Sequence, residues 1–288
     1  MDHNRKDKRG LIVPKSIIYF IKILDFINPY LCMRFAGYLW TRPLKYKIPE
    51  REIPILKSSK NSIFIIKSIN KKILFYRWKG KGPKVLLVHG WSGRASNMYY
   101  IIKGLIEKGY DVYSFDAPAH GNSPSQTSNI PEFIACINEL CSYINSPKAI
   151  IAYSAGSFAS IYSSSLNIKK LKKLVLISSF NSVYDLFQSF FSLIRVSKKV
   201  GDLMIEFYSK KTGIKIDKNL SAEKFGNNLK CETLIIHDKD DKEIPFEDSQ
   251  LIAKSIKNVK TFFTKNLGHR RILRDEKVLN EILTFIND

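Results

Sequence analysis

Ile151-Ala152-Tyr153-Ser154-Ala155-Gly156 is the stretch that decides the fold. The serine closes an apolar run, Ala149–Tyr153, and residues 155–165 after it carry a helical pattern. A chain that leaves a buried strand and enters a helix at a single residue is crowded, so the positions two before and two after that residue must be small. Ala152 and Gly156 meet the condition. Such a turn lifts the Ser154 hydroxyl above the end of the sheet, at the amino end of the next helix. Ser154 also reads as an ordinary helix N-cap, so the stretch needs its neighbours to be interpreted.

Outward from this stretch, short continuous apolar runs recur at Val85–Val88, Val112–Phe115, Leu174–Ile177, Leu234–Ile236 and Val259–Phe263. Continuous rather than alternating runs are typical of parallel strands covered on both faces. Helical patterns fill the gaps, at about 97–108, 131–145, 246–257 and 276–287, which predicts βαβ units and a parallel sheet. Upstream, Ile63–Lys67 and Ile73–Trp78 flank Asn70-Lys71 and read as a hairpin. The gap from Phe180 to Lys230 is too long for one crossover helix. It carries two helical patterns of its own, Val183–Val196 and Val200–Tyr208, and reads as a cap over the carboxyl edge of the sheet, where open α/β sheets place their sites. The expected organisation is an N-terminal helical extension (1–55), a core (56–179 and 231–288) and a helical cap insertion (180–230).

Four further segments fall at the carboxyl ends of predicted strands: His89-Gly90-Trp91, Asp116-Ala117-Pro118-Ala119-His120-Gly121-Asn122-Ser123, His237-Asp238-Lys239-Asp240-Asp241-Lys242-Glu243-Ile244-Pro245, and Leu267-Gly268-His269. The second clearly resembles the D-x-P-x-H-G-x-S segment of the α/β-hydrolase fold family, and the set, in this order, covers the chain from about residue 60 to its end outside the cap. The resemblance implies an α/β-hydrolase fold: a mostly parallel sheet flanked by helices, with a helical cap. It implies Ser154 as nucleophile, despite Ala152 standing where the family's G-x-S-x-G has glycine, and His269 as base. An acid four residues before a proline selects Asp241 as the orienting carboxylate, with Asp240 the runner-up and Asp238 at a position where glycine is common. Three acids in four residues also fit a plain polar loop or a weak cation site. The backbone N–H groups of Trp91 and Ala155 are the implied oxyanion hole. His89, Asp116 and His120 are expected to shape loops rather than react.

The expected chemistry is acyl transfer. His269 takes the Ser154 proton, Asp241 fixes the imidazole, and water releases the acyl-enzyme. Aromatics in the cap, Phe180 to Phe191, favour a lipophilic carboxylic ester as substrate, although aromatics at helical spacing serve at least as often for packing. An amide, peptide or carbon–carbon bond hydrolase would keep the same three residues. A non-catalytic, membrane-associated binding protein on the same scaffold is a rival of another class, against which the intact set of nucleophile, acid and base argues.

The chain has 47 Lys+Arg against 26 Asp+Glu, a formal net charge of +21 in 288 residues. The charge is dispersed and no nucleic-acid-binding motif accompanies it, so it reads as a solvated surface and no nucleic-acid partner is expected. Cys32, Cys136, Cys141 and Cys231 form no CxxC pair, which argues against a zinc site, and no cofactor or metal is expected. Core thiols suit a reducing, cytoplasmic setting. Residues 11–40 are largely apolar, but Pro14, Lys15, Lys22, Asp25, Pro29 and Arg34 interrupt them before a spanning length accumulates, and no small-residue cleavage site follows. On a helix, Lys15, Lys22 and Asp25 share a narrow polar stripe. The segment is expected to form one or two helices broken at Asn28-Pro29 and docked on the rest of the protein, with peripheral contact to a membrane as the alternative.

Overall fold

In the computed structural model, residues 13–168 and 170–288 are described; residues 11 and 12 of the N-terminal apolar segment lie outside them. Two compact units emerge. One comprises Met1–Trp40 and Tyr184–Asp217, the other Thr41–Val183 and Lys218–Asp288.

In the first unit, helices α1 (Lys15–Ile27) and α2 (Pro29–Thr41) meet at Asn28. The break falls where proline's missing amide and its effect on the preceding residue place it. The Asn28 side chain accepts from the Tyr30 N–H at 2.9 Å and so starts α2.

The second unit begins with α3 (Ile53–Lys57) and an antiparallel hairpin, β1 (Lys60–Ile66) and β2 (Lys71–Trp78). Asn70 turns it with φ 48°, the left-handed region that asparagine tolerates. The chain continues as β3 (Lys84–Val88), α4 (Tyr99–Glu107), β4 (Asp111–Asp116), α5 (Ile130–Tyr143), β5 (Ala149–Tyr153), α6 (Ala155–Leu166) and β6 (Lys173–Ile177). The insertion follows, with α7 (Val183–Ile194) and α8 (Lys198–Thr212), then α9 (Ala222–Gly226). Last come β7 (Glu232–Asp238), α10 (Phe246–Ser255), β8 (Val259–Thr264), α11 (Gly268–Arg271) and α12 (Glu276–Asn287). The eight strands form one sheet in the order β1-β2-β4-β3-β5-β6-β7-β8, parallel from β4 onward.

The continuous apolar runs are covered on both faces because successive side chains point to opposite sides of a strand. Leu87, Ile151, Val175 and Ile236 pack with Ile101 and Leu105 of α4 and Ile282 and Phe285 of α12. Their neighbours Leu86, Ile150, Leu176 and Ile235 point the other way and are equally buried. All four cysteines are buried and unpaired by disulfide, and burial pushes the Cys141 thiol up to about 12.

The cap aromatics pack on one another. Within the first unit the Trp40 ring lies 4.4 Å from Phe187 and 4.9 Å from Phe190, and Phe187 is 5.9 Å from Tyr208. Phe187 and Phe191 are buried. Of the two roles open to these rings, this arrangement is the packing one. No helix among the described residues is long and apolar enough to cross a membrane.

Candidate active site

Parallel strands deliver every candidate residue to one end of the sheet. β5 runs into Ser154, which adopts φ 53°, ψ −120° before α6 begins at Ala155. A non-glycine residue in that region is strained, and such strain persists only where its surroundings hold it. The Ser154 N–H donates to the Ile177 carbonyl at the end of β6, 2.8 Å away. A Cβ on Gly156 would come within 2.5 Å of the His89 carbonyl and 2.7 Å of that of Val88, and one on Gly90 within 2.9 Å of Ser154 Cβ. The turn therefore requires glycine on the loop beside it as well as at its own second position. Ala152, in place of the first glycine, is accommodated fully buried.

Ser154, His269 and Asp241 are brought together. His269 Nε2 lies 3.1 Å from Ser154 Oγ, and His269 Nδ1 lies 2.7 Å from Asp241 Oδ2. The other oxygen, Asp241 Oδ1, accepts from the N–H groups of Glu243 (2.9 Å) and Ile244 (3.0 Å), which fixes the carboxylate. Burial works to raise the Asp241 pKa, but the hydrogen bonds from His237 and His269 and the charge of His269 outweigh it and hold the carboxyl far below its usual range. The histidine is braced from behind, as the Tyr153 hydroxyl donates to the His269 carbonyl at 2.9 Å.

The three acids of the β7 exit diverge. Asp240 does not reach His269; its carboxylate accepts from the Asn266 N–H at 2.8 Å. Asp238, where the family pattern suggests glycine, is fully buried. It accepts from the N–H groups of Asp240 (3.0 Å), Leu267 (3.1 Å) and Gly268 (2.9 Å) and from Thr264 Oγ1 (2.6 Å). Burial opposes its charge, but these donors prevail and lower its pKa. Asp238 thus ties the loop carrying Asp241 to the loop carrying His269. A glycine-rich alternative would leave those amides to water, and sequence spacing alone gives no sign of this tie.

Two more residues escaped the sequence reading. His237, the last-but-one residue of β7, is fully buried. Its Nε2 lies 3.4 Å from Asp241 Oδ2 and 3.3 Å from the Ile244 carbonyl, and its Nδ1 lies 2.5 Å from Ser249 Oγ. With Ser249 donating to Nδ1, the Nε2–H donates to the Ile244 carbonyl and lies beside Asp241 Oδ2, so that His237 backs the carboxylate that faces His269. Its period-2 place in an apolar strand was the available signal, since a histidine there needs polar company. The second is Glu52, which is buried. It accepts from Arg94 Nε (3.0 Å), Ser96 Oγ (2.7 Å) and Asn97 Nδ2 (3.1 Å), and so pins the loop after Trp91.

The Ala155 N–H is the first amide of α6, a donor that a helix start leaves over. Trp91 lies on the β3 exit loop, beside the glycine that abuts Ser154. Among the described residues neither N–H has an acceptor within the protein. His89 accepts from the Ala117 N–H through Nε2 (3.0 Å) and donates to the Gly90 carbonyl through Nδ1 (2.7 Å). Asp116 accepts from the Ala95 N–H (2.7 Å), the Tyr76 hydroxyl (2.9 Å) and the Asn122 N–H (2.9 Å). His120 Nδ1 donates to the Pro118 carbonyl. Burial lowers the pKa of both imidazoles. All three residues hold loops. No group of three or more His, Cys, Asp or Glu among the described residues is placed to bind a metal ion.

The family described as "alpha/beta hydrolase fold" matches the chain over residues 83–201. No curated protein matches it by sequence. Among solved structures, an esterase from Pyrococcus furiosus superposes with a TM-score of 0.65 at 19% identity, over 85% of this chain and 98% of that one. A putative lipase from Acinetobacter baumannii gives 0.63 at 18%, over 84% and 97%. A bromoperoxidase from Bacillus anthracis gives 0.62 at 18%, over 80% and 100%. Sheet order, strand-to-helix turn and these matches together show that the chain has the α/β-hydrolase fold.

Proposed function

We propose that the protein is a serine hydrolase that cleaves carboxylic esters of apolar acyl groups through an acyl-enzyme. The observation that carries the reading is the continuous hydrogen-bonded line from Asp241 through His269 to Ser154, at 2.7 and 3.1 Å. Ser154 Oγ attacks the acyl carbon as His269 Nε2 accepts its proton; the new C–O bond pushes an electron pair onto the carbonyl oxygen. The Trp91 and Ala155 N–H groups receive that oxyanion. Asp241 keeps the Nδ1–H tautomer and stabilises the imidazolium without itself taking a proton, in keeping with its depressed pKa. Collapse expels the alcohol, protonated by His269, and water attacks the acyl-enzyme with His269 again as base.

The esterase and lipase among the fold's neighbours support the ester as the bond cleaved. The half-buried Trp91 indole, next to the glycine that touches Ser154, offers an apolar surface for the acyl group. The test is a series of p-nitrophenyl esters from acetate to laurate beside the matching anilides. Esters turned over with a preference for butyrate or longer chains are expected. Anilides cleaved as fast as esters, or no turnover of either by a folded protein, would overturn the reading.

A further inference from the structure

Helix α1 wears its apolar side outward. Ile21 is buried and Asp25 turns inward, where its carboxylate accepts from the Ser197 N–H (2.8 Å) and hydroxyl (2.9 Å) at the start of α8. On the opposite side Tyr19, Ile23, Phe26 and Ile27 fall within an arc of about 100° at 3.6 residues per turn, and they are 65, 56, 92 and 68% exposed. Tyr30 and Leu31 at the start of α2 extend the face, at 62 and 51%. Single exposed apolar residues are ordinary, but six large ones in one contiguous run are not.

The charges around this face select its occupant. Lys15 and Lys22 are exposed on one border of the α1 arc, and Arg34 is exposed on α2. The one acid of α1, Asp25, is engaged by Ser197, so no carboxylate of that helix lies on the face. Of the acids on α8, Asp202 is paired with Lys198 and Glu206 with Lys210. Residues 1–40 and 184–217 together hold thirteen basic and seven acidic side chains. A second copy of the same cationic face would be repelled. An anionic surface with an apolar layer beneath it would be attracted twice, by the lysines and by the rings.

We propose that the α1–α2 face is a docking surface for the interface of a bilayer containing anionic lipid. The two helices lie in the plane of the interface, because each has only 13 residues, about 20 Å, too short to span. Phe26, Ile23 and Ile27 enter the acyl boundary, Tyr19 and Tyr30 sit at headgroup depth, and Lys15 and Lys22 extend along their stems to the phosphates. This proposal does not depend on the hydrolase reading.

The full-length protein is sedimented with phosphatidylcholine vesicles and with vesicles in which about a third of the lipid is phosphatidylglycerol. Wild type and Ser154→Ala should bind the anionic vesicles alike, less as salt is raised. Ile23→Ser/Phe26→Ser/Ile27→Ser should lower partition at least about tenfold on both vesicles. Lys15→Gln/Lys22→Gln should cut the preference for anionic vesicles by about 25-fold, as each lysine near such a surface is worth about fivefold. Both variants should melt at the wild-type temperature and hydrolyse a soluble ester at the wild-type rate, since the substituted side chains are exposed. Wild type left in the supernatant with both vesicles overturns the proposal without reading any variant. So does a triple variant that binds as wild type does, or a solution dimer that the triple substitution dissociates, which would give the face to a second copy.

Discussion

Ile151 on β5 and Phe26 on α1 are both large apolar residues set in apolar runs, yet one is fully buried and the other 92% exposed. The sheet unit behaves as the hydrophobic effect requires in its central strands: β3 to β7 are covered by helices on both faces, and buried charged or imidazole groups such as Asp116, Asp238 and His237 are hydrogen-bonded. The helical unit buries one side of α1 and presents the other. Apolarity thus reports burial only where a partner surface is fixed by the backbone. A parallel sheet supplies that surface, since unpaired strand amides force its neighbours into place. A short helix satisfies its own backbone and can turn either side outward.

The largest expected effect lies in the sheet unit and sharpens the comparison from its bonded side. Asp241→Asn should lower kcat/KM of ester hydrolysis by about 10³–10⁴-fold, because an amide in that place holds the wrong imidazole tautomer. Asp240→Asn, which loses only an acceptor for Asn266, should stay within a few-fold. Equal losses in the two variants, measured by steady-state kinetics at matched stability, would place the orienting carboxylate elsewhere.

Next comes Asp238→Asn, expected to cost about 2–3 kcal/mol in denaturant unfolding, since a buried carboxylate serving four donors is replaced by a weaker acceptor. The folded carboxyl titrates below its unfolded value of about 3.9. Its contribution is therefore complete above that pH and is lost as pH falls below it toward the folded value. The variant's deficit should accordingly shrink in acid, below about pH 4. A deficit that stayed constant through that range would mean the carboxylate is not the stabilising form.

Smaller still is His237→Gln, expected to lower kcat about tenfold, comparable to removing an outer partner of a working group. KM should hold, because His237 touches Asp241 and not the substrate. A rise in KM with unchanged kcat would move its role from Asp241 to the pocket. The smallest effect belongs to the other unit: Phe26→Ser should change stability by less than about 0.5 kcal/mol, whereas Ile151→Ala should cost about 2–5 kcal/mol. A large loss from Phe26→Ser would break the comparison, because it would give that ring a covered partner.

Much of the sheet unit was legible in the sequence, because continuous runs such as Val85–Val88 and Ala149–Tyr153 admit few other arrangements. The resemblance of the segments ending in Pro245 and His269 to the α/β-hydrolase pattern implied that Asp241 and His269 lie near Ser154, and the fold brings the three within contact. Asp238 and His237 were not legible in the same way. Their value comes mainly from a serine 12 residues and amides 29 and 30 residues away in the sequence. Glu52 is a further case: its charge suggests solvent, and its burial is explained by the Arg94 guanidinium, the Ser96 hydroxyl and the Asn97 amide. On α1 the polar stripe of Lys15, Lys22 and Asp25 divides in the structure. Asp25 holds Ser197, the N-cap of α8, while the lysines stay exposed beside Phe26, a division that periodicity cannot express because it depends on a partner 172 residues away.

Covalent labelling tests directly whether Ser154 is the nucleophile. The protein is treated with a fluorophosphonate, digested, and the adduct located by peptide mass spectrometry. One labelled peptide is expected, the one containing Ser154, with labelling abolished in Ser154→Ala and strongly slowed in His269→Ala while both variants remain folded. Label on another serine of the wild-type protein, or label that persists in Ser154→Ala, would contradict it.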